Sequence, residues 1–505
     1  MKHFFGKLSV LALALSSSIA FAQTELTIAD LHQAVKENKT TFKQTMQDYL
    51  SAIDKNDQKG AKLNSIITIN PTALAEAEAA DLAFKASGQL KPLQGVPVLL
   101  KDNVDTAGLL TTGGSISLKD NITTTNGFIA QKLKDAGAIV IAKTNLHEFA
   151  VWGETRSSML GQTINPYDST RTPGGSSGGT GASVAANFGI IGIGTDTINS
   201  IRSPASANSL VGIRPSLGLV SRSGIIPYSF TQDTAGPITR TVADAAKTLN
   251  AITGYDETDP ITKAALEKQE DYTKGLIKNG LEGKRIGVLH SFFGKDEIHQ
   301  STNDVVNKAI EAMKPFGATI IDINDDISAD AIVKDISVHL YDLEQDLNTY
   351  LKDHPKQSPV KSLKELIASG QFDEGIKANI EKAVTLSKNS DDYKNRLVER
   401  EKLQQSIIAL MEKYEIDALV FPHQKRLVVP IGEGQADRNG VLGSVTGFPS
   451  IVVPAGFSPK SDTAPIGVPV GIEFFGKPFS EKSLIEIGYG FEQNLPMRKA
   501  PVLAQ

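Results

Sequence analysis

The chain has no cysteine among its 505 residues. Without thiols it cannot use a cysteine nucleophile, a disulfide framework or a thiolate metal site. It also lacks a strong excess of one charge, because 52 Lys and Arg are nearly balanced by 57 Asp and Glu, for a formal net charge of −5. A mildly acidic protein has no electrostatic basis for binding nucleic acid or anionic lipid, and we expect neither partner.

Long apolar runs are also missing after residue 22, so no membrane-spanning helix is predicted. The first 22 residues have the three parts of a secretory signal peptide: a basic start, a short apolar stretch, and the cleavage site Ala20-Phe21-Ala22 before Gln23. Cleavage would remove Lys2 and Lys7 and change the net charge from −5 to −7. The sequence therefore predicts a periplasmic or secreted protein without membrane insertion. The alternative is a buried N-terminal helix.

Strand and helix patterns alternate along residues 23–505, which is typical of an α/β fold. Short apolar runs predict strands, and longer stretches with helical spacing of apolar residues predict helices. The predicted strands cover 64–70, 96–100, 138–142, 188–193, 285–290, 318–323, 416–421, 449–454 and 468–475. We find no internal repeat, and we expect one large domain in which residues 255–415 form a helix-rich part that could cover a cleft.

The stretch 171–215 is unusually dense in glycine, hydroxyl-bearing and apolar residues. Within it, 174–178 (GGSSG) matches the G-x-S-x-G nucleophile elbow, but that motif follows a buried strand, and residues 165–173 are polar with two prolines. A glycine-rich loop before a helix, here expected over 181–188, could also bind an anion. The G-K-[ST] of a P-loop is missing. So many glycines indicate that this backbone approaches another group closely.

A second serine loop follows the predicted strand 188–193. Ser200 lies in that loop, and a serine just after a buried strand is well placed to attack a substrate. Consecutive backbone N–H groups in such a loop can form an oxyanion hole. The alternative is a plain loop with a capping Asp196 and a surface serine.

The residues alone leave the general base open. Of the seven histidines after residue 22, none lies near these loops in the sequence, so a Ser–His–Asp triad is unsupported but not excluded. Lys101 directly follows the apolar run 96–100. Burial would lower the pKa of this lysine and allow a neutral amine to act as a base. A lysine at a strand end is, however, more often a surface residue with its amine in water.

Together these motifs resemble the amidase signature family, the Ser–Ser–Lys hydrolases. The resemblance covers nearly all of residues 23–505, and its segments follow one another in the family's order. They are 95–98 (GVPV), 101–103 (KDN), 136–138 (AGA), 143–145 (KTN), Glu148-Phe149, Asn165-Pro166, 174–179 (GGSSGG), 194–197 (GTDT), 200–202 (SIR), 204–206 (PAS), 212–215 (GIRP), Gly236-Pro237, 447–449 (GFP), 454–456 (PAG) and 469–471 (PVG).

The resemblance implies three catalytic roles. Ser200 corresponds to the nucleophile that forms an acyl-enzyme. Ser176 corresponds to a bridging serine, often joined to the preceding residue, here Gly175, by a cis peptide bond. Lys101 corresponds to the neutral base that takes a proton through Ser176.

The resemblance also assigns supporting residues. An oxyanion hole would be formed by the backbone N–H groups of Thr197, Ile198, Asn199 and Ser200. The serine loops would be held in place by Ser177, Asp196 and Arg202.

The same resemblance implies a fold and an activity. The expected fold is α/β, a single large domain with a mixed, many-stranded twisted sheet between layers of helices. The expected activity is hydrolysis of a small-molecule carboxylic amide to acid and ammonia or amine, with no metal or organic cofactor. Export argues against the tRNA-dependent amidotransferase role known in the family, which is cytosolic. No oligomeric state and no particular amide are predicted. The pocket wall is expected from 151–165, 221–233 and 341–350.

One departure from the family pattern lies next to the expected nucleophile. The family usually has Gly-Gly before that serine, whereas this chain has Ile198-Asn199. If the loop required positive φ there, the isoleucine would be strained. The N–H groups are retained, so catalysis could survive with a reshaped acyl pocket. Two alternatives therefore stay open: a Ser–His–Asp esterase or other hydrolase, and a binding protein on an amidase fold that has lost catalysis.

Overall fold

The computed structural model describes residues 24–353 and 359–503. The predicted signal peptide over 1–22 and its cleavage site lie outside these residues. Within the described ranges, no helix combines the length and the apolar character that crossing a bilayer requires.

A single mixed sheet of 11 strands forms the centre of the molecule. The strand bounds are β1 Ile66–Ile69, β2 Pro97–Lys101, β3 Ile139–Thr144, β4 Arg156–Ser157, β5 Gly161–Gln162, β6 Ile191–Asp196, β7 Val211–Arg214, β8 Thr234–Thr239, β9 Arg285–Leu289, β10 Thr319–Ile323, β11 Ala418–Pro422, β12 Ser450–Phe457 and β13 Pro469–Phe475. Along the sheet the strands follow the order β1-β3-β2-β6-β8-β7-β12-β13-β11-β9-β10, and β4 pairs separately with β5.

The sheet is parallel in two places and antiparallel elsewhere. β2 pairs in parallel with both β3 and β6, and β9 pairs in parallel with both β10 and β11. In β2, β6, β7, β8, β11 and β13 every side chain is buried. Because successive side chains of a strand point to opposite faces, both faces of the central sheet are covered. The predicted α/β class with a mixed, many-stranded sheet between helices is confirmed.

Helices provide this cover. They are Ile28–Lys36, Phe42–Asn56, Ala73–Ser87, Phe128–Asp135, Gly178–Ala185, Arg202–Ala207, Val242–Ile252, Ala265–Lys268, Gln300–Glu311, Ala329–Ala331, His339–Asp353, Leu363–Ser369, Lys377–Ala383, Asp391–Lys413, Val441–Thr446 and Glu481–Asn494. Hydroxyl side chains mark several helix starts, as Thr41, Thr241 and Ser390 each accept a hydrogen bond from a backbone N–H of the first turn. Such N-caps satisfy donors that the helix itself leaves unpaired.

Residues 255–415 are rich in helix, as expected, but they also contribute β9 and β10 to one edge of the main sheet. This part of the chain is therefore built into the main sheet through two of its strands. Both strands are short apolar runs that the sequence pattern predicted to within a residue or two.

The helix after the first serine loop begins three residues earlier than predicted, at Gly178, and ends at Ala185. Its glycines, which suggested a loop, form the first helical turn instead. They are needed for close packing, because a Cβ on Gly179 would lie 2.2 Å from the carbonyl oxygen of Asn145. The strand predicted over 188–193 is likewise shifted, to 191–196. The glycine run thus lets this helix lie directly against the sheet.

Candidate active site

The site lies where the parallel strands β2 and β6 end side by side. Lys101 is the last residue of β2, and Asp196 is the last residue of β6. Leu100 pairs with Ile193 in the register of these strands. The carboxyl ends of neighbouring parallel strands are a common place for ligand sites in α/β sheets, and both serine loops meet here.

Lys101 is fully buried and contacts hydroxyl groups. Its Nζ lies 2.8 Å from Ser176 Oγ, 2.8 Å from Thr195 Oγ1 and 3.4 Å from the Thr195 carbonyl oxygen. Burial lowers the pKa of Lys101 to about 7, and the nearby carboxylates of Asp196 and Asp233 only partly oppose this effect. At neutral pH a large fraction of this amine is therefore uncharged and able to accept a proton.

Ser176 is also fully buried, and its peptide bond with Gly175 is cis. The Ser176 carbonyl oxygen accepts a hydrogen bond from the His147 N–H at 2.9 Å. A Cβ on Gly175 would lie 2.6 Å from Thr155 Oγ1. The first serine loop is thus packed against residues 147–155 on one side and against Lys101 on the other.

Ser177 joins the two serine loops. Its Oγ donates to the Thr195 carbonyl at 3.2 Å and accepts from the Thr195 N–H at 3.3 Å. Its own N–H donates to the carbonyl oxygen of Ser200 at 3.3 Å. These contacts bring Ser200 beside the Ser176–Ser177 backbone, although 24 residues separate Ser176 and Ser200 in the sequence. Ser200 is 5% exposed and Ser176 is not exposed, so Ser200 is the one that substrate can reach.

The loop 197–200 has its carbonyl groups turned into the protein. Each of these carbonyls accepts a hydrogen bond: from Gln232 Nε2 to Thr197 (3.2 Å), Arg202 Nη2 to Ile198 (2.9 Å), Ser203 N–H to Asn199 (2.7 Å) and Ser177 N–H to Ser200 (3.3 Å). Across the described residues, we find no acceptor for the N–H groups of these four positions. Four consecutive donors are thus free to hold a negatively charged oxygen.

Neither Ile198 nor Asn199 has positive φ. The strain considered from the sequence therefore does not arise, and the loop is formed without the family's usual glycines. Ile198 packs in a buried apolar cluster with Phe421, Val441 and Phe448. The Asn199 side chain lies against Gly440, where an added Cβ would come 2.7 Å from Asn199 Cβ.

A buried charge network lies directly beneath this loop. The Asp196 carboxylate accepts from the Ile201 N–H at 3.1 Å, and it pairs with Arg202 at 3.1 Å and Arg214 at 2.9 Å. Burial alone would raise the pKa of Asp196, but the two guanidinium groups outweigh it and hold this pKa well below its usual range. Arg202 also pairs with Glu473 at 2.5 Å. The network fixes both ends of the nucleophile loop.

Asp233 supports the first residue of the loop. Its Oδ1 accepts from Thr197 Oγ1 at 2.5 Å, and its Oδ2 accepts from the N–H groups of Tyr228 and Ser229 at 2.8 and 3.0 Å. Burial raises the pKa of Asp233 to about 6 despite these donors.

Among the described residues, no histidine hydrogen-bonds to the side chain of Ser176 or Ser200. His147 is close, but its Nδ1 accepts from the Glu154 N–H at 3.1 Å. His423 lies behind the loop, and its Nδ1 contacts Glu473 at 2.7 Å. The geometry therefore provides a lysine rather than a histidine next to the bridging serine, which disfavours the Ser–His–Asp alternative.

Sequence reasoning placed Lys101, Ser176, Ser177, Asp196, Arg202 and 197–200 in one site, and the structure brings all of them together. It missed the contacts that Thr195, Asp233 and Glu473 make in the site. Thr195 lies within 194–197 (GTDT), but nothing in that motif indicates a contact with Lys101. Glu473 lies on β13, 271 residues from its partner Arg202, and no local pattern signals such a pairing.

Comparisons with known proteins agree with this geometry. A family model described as Amidase matches residues 45–485. A probable amidase from Arabidopsis thaliana is 36% identical over 96% of this chain and 93% of its own length. The chain belongs to the amidase signature family. As a member it is a hydrolase that acts on carbon–nitrogen bonds.

Similar proteins in this family are named for different activities. A glutamyl-tRNA(Gln) amidotransferase component from Alkaliphilus metalliredigens is 32% identical over 94% of this chain and 97% of its own length. The crystal structure of a peptide amidase from Stenotrophomonas maltophilia is 34% identical, with a TM-score of 0.86 over 95% of this chain and 99% of that one. An amidase family protein from Bacillus anthracis is also 34% identical, with a TM-score of 0.85 over 97% of this chain and 95% of its own.

The buried network gives a stability prediction. Arg202→Met removes the partner of Asp196 and Glu473 and leaves a carboxylate buried without its guanidinium, so we expect a loss of about 3–5 kcal/mol in the free energy of unfolding. Urea denaturation of the purified protein measures it. Arg156→Gln is the matched control, because it breaks a partly exposed pair with Asp373 and should cost about 1 kcal/mol or less. Equal stability of the two variants would show that the buried network does not support the fold.

Proposed function

We propose that the protein is an amidase that hydrolyses a linear carboxylic amide to acid and ammonia or amine through an acyl-Ser200 intermediate. The observation that carries this proposal is the contact of the fully buried Lys101 amine with Ser176 Oγ at 2.8 Å. A buried, largely neutral amine beside a hydroxyl can act as a general base, and a Ser–Lys pair is a known means of activating a serine.

Acylation begins with attack of Ser200 Oγ on the amide carbonyl carbon. The Ser200 proton passes to Ser176 Oγ, whose own proton passes to the Lys101 amine. The free N–H groups of 197–200 stabilise the negative charge that develops on the carbonyl oxygen. The carbon–nitrogen bond then breaks as the relay returns a proton to the nitrogen, which leaves as ammonia or amine.

Deacylation uses the same groups, and the proton again passes from the nucleophile through Ser176 to Lys101. A water molecule attacks the ester carbonyl of acyl-Ser200, and its proton passes through Ser176 to Lys101. The tetrahedral intermediate collapses, the ester bond to Ser200 Oγ breaks, and Ser200 regains a proton from the relay. The carboxylic acid is released, and Lys101 is again neutral.

The relatives support an amidase that acts on free amides, since one is named a probable amidase and another a peptide amidase. The amidotransferase relatives are similar to nearly the same degree. The predicted signal peptide favours the first group, because tRNA-dependent amidotransfer is a cytosolic function. A screen with aliphatic, aromatic, peptide and N-acylated amine amides would identify the preferred substrate.

We also propose that the chain is exported and cleaved after Ala22. N-terminal sequencing of the protein from periplasmic and culture fractions should give Gln23 as the first residue, since Ala20-Phe21-Ala22 has the small residues that signal peptidase requires. A cytoplasmic product that retains Met1 would contradict export. Such a result would also make the amidotransferase function a stronger alternative.

The catalytic roles can be separated with three variants. Ser200→Ala should lower kcat/KM on amides by at least about a thousandfold and abolish labelling by a fluorophosphonate, because it removes the nucleophile. Lys101→Ala should lower kcat/KM by about a hundred- to ten-thousandfold. Lys101→Arg retains a cation but cannot supply a neutral base, and it should be similarly impaired.

Lys85→Ala, at an exposed helix position, is the control and should retain wild-type activity. Full amide hydrolysis by Lys101→Ala would favour a different hydrolase mechanism. Failure of the wild-type protein to react with the fluorophosphonate would favour the binding-protein alternative.

The buried lysine also predicts a pH dependence. Because the pKa of Lys101 is lowered to about 7, the amine is protonated and unable to act as a base below that pH. The value of kcat/KM on a neutral amide should therefore fall about tenfold per pH unit below pH 7 and level off above it. Initial rates between pH 5 and pH 9 measure this profile. A value of kcat/KM that still rises about tenfold per pH unit up to pH 9 would show that Lys101 keeps a pKa nearer the ordinary lysine value of 10.5 and is charged at neutral pH.

A further inference from the structure

Arg438 is a half-buried arginine in the loop before the Val441–Thr446 helix, and the proposed mechanism does not use it. Its guanidinium Cζ stacks 4.6 Å from the centre of the Trp152 ring. Within the part of the chain that the structure describes, no side chain forms an ion pair or a hydrogen bond with this guanidinium. This differs from Arg202 and Arg214, which are paired with carboxylates.

Packing connects Arg438 to both serine loops through neighbouring residues. Arg438 packs against Gly153, since a Cβ on Gly153 would lie 3.6 Å from Arg438 Nη1. Gly153 in turn packs against Gly175, since a Cβ on Gly175 would lie 2.9 Å from the Gly153 carbonyl oxygen. Gly175 directly precedes Ser176. On the other side, Gly440 follows Arg438 by two residues, and its carbonyl oxygen accepts from Arg202 Nη2 at 2.7 Å. Short chains of contacts therefore connect Arg438 to both serine loops.

The groups around Arg438 are two neutral histidines and one carboxylate that is not directly paired with it. Burial, helped by the positive charge of Arg438, lowers the pKa of His147 and of His339 to about 3, so both rings are neutral at physiological pH. The Glu154 carboxylate attracts the Arg438 guanidinium without a direct ion pair between the described side chains, although burial raises the pKa of Glu154. Its Oε1 accepts a hydrogen bond from the Gln435 N–H instead.

A cation without a directly paired counter-ion is costly in a partly buried position. The stacked tryptophan recovers some of that energy through a cation–π contact and also restricts the orientation of the guanidinium plane. Such a group presents parallel N–H donors that match a carboxylate in bidentate geometry. The arrangement is suited to a ligand that supplies the missing negative charge.

We propose that Arg438, stacked on Trp152, binds a carboxylate of the substrate, so that the preferred substrates are amides that carry an anionic group on the acyl side or the amine side of the scissile bond. This inference rests on the proposed amidase function. It names the class of amide and a specificity residue that neither the motifs nor the relatives' names identify.

The test compares matched pairs of amides. On the acyl side the pair is glutaramate and pentanamide, and on the amine side it is N-benzoylglycine and N-propylbenzamide. Binding is measured by ligand-observed NMR on Ser200→Ala protein, in which turnover is blocked, and kcat/KM is measured on the protein with Ser200. Arg438→Gln and Arg438→Lys are combined with each background, and thermal unfolding confirms that the variants are folded.

In at least one pair we expect the carboxylate member to be preferred about ten- to a hundredfold, as for a hydrogen-bonded charge pair. Arg438→Gln should abolish that preference, and Arg438→Lys should retain part of it. Arg156→Gln is the control, because it removes a positive charge that lies close in sequence to Trp152 but is already paired with Asp373. This control should change the preference by no more than about twofold.

Equal binding and equal kcat/KM within both pairs would overturn the proposal, and so would a carboxylate preference that survives Arg438→Gln. These outcomes are distinguishable from failure of the proposed function. Preferential binding that depends on Arg438, but without any turnover by the Ser200 protein, would support the anion site and contradict the amidase activity. Turnover of all four amides without preference would support the amidase activity and contradict the anion site.

Discussion

The desolvation of the Lys101 amine is the constraint on which the site depends. The amine is buried with hydroxyls and a carbonyl as its hydrogen-bond partners, so its charged form is disfavoured. A free carboxylate at this depth would reverse that effect. The nearest one, Asp196, is bound by Arg202 and Arg214, which limits its attraction for a proton on the lysine. The arginines therefore support the base as well as the loop.

The same network explains how the nucleophile loop forms without glycine. In many loops glycine gives the backbone freedom to turn its N–H groups outward. Here the carbonyls of 196, 197, 198 and 199 accept hydrogen bonds from Arg214, Gln232, Arg202 and Ser203. Because the C=O and N–H of one trans peptide point in opposite directions, the N–H groups of 197–200 face away from these donors. Ile198 and Asn199 accordingly need no positive φ. The Ile198 side chain joins the buried apolar cluster that includes Phe421, and the Asn199 side chain lies against Gly440.

The arginines around the serine loops differ in their partners. Arg202 and Arg214 are paired with carboxylates beneath the loop, while Arg438 is stacked on an aromatic ring and lacks a paired carboxylate among the described residues. The sequence pointed to 151–165 and 221–233 as pocket walls, and Trp152 and Tyr228 do lie near this arginine. It did not point to 438, because nothing in the polar stretch before Gly440 differs from an ordinary surface loop. Its position is decided by a contact between loops some 290 residues apart.

Local signals in the sequence were sufficient for part of this structure. The short apolar runs of β2, β9 and β11 predicted buried strands. The serine loops and Lys101 were recognisable because their residues lie together in short motifs. The start of the Gly178–Ala185 helix was not predictable, since glycine disfavours helix until packing against the Asn145 backbone makes a small residue necessary. The pairing of Arg202 with Glu473, the contact of Lys101 with Thr195 and the placement of Arg438 arise from the tertiary structure alone. Each of these three contacts joins elements that are far apart in the sequence. The energy of a buried charge depends on its partners, and the local sequence does not contain them.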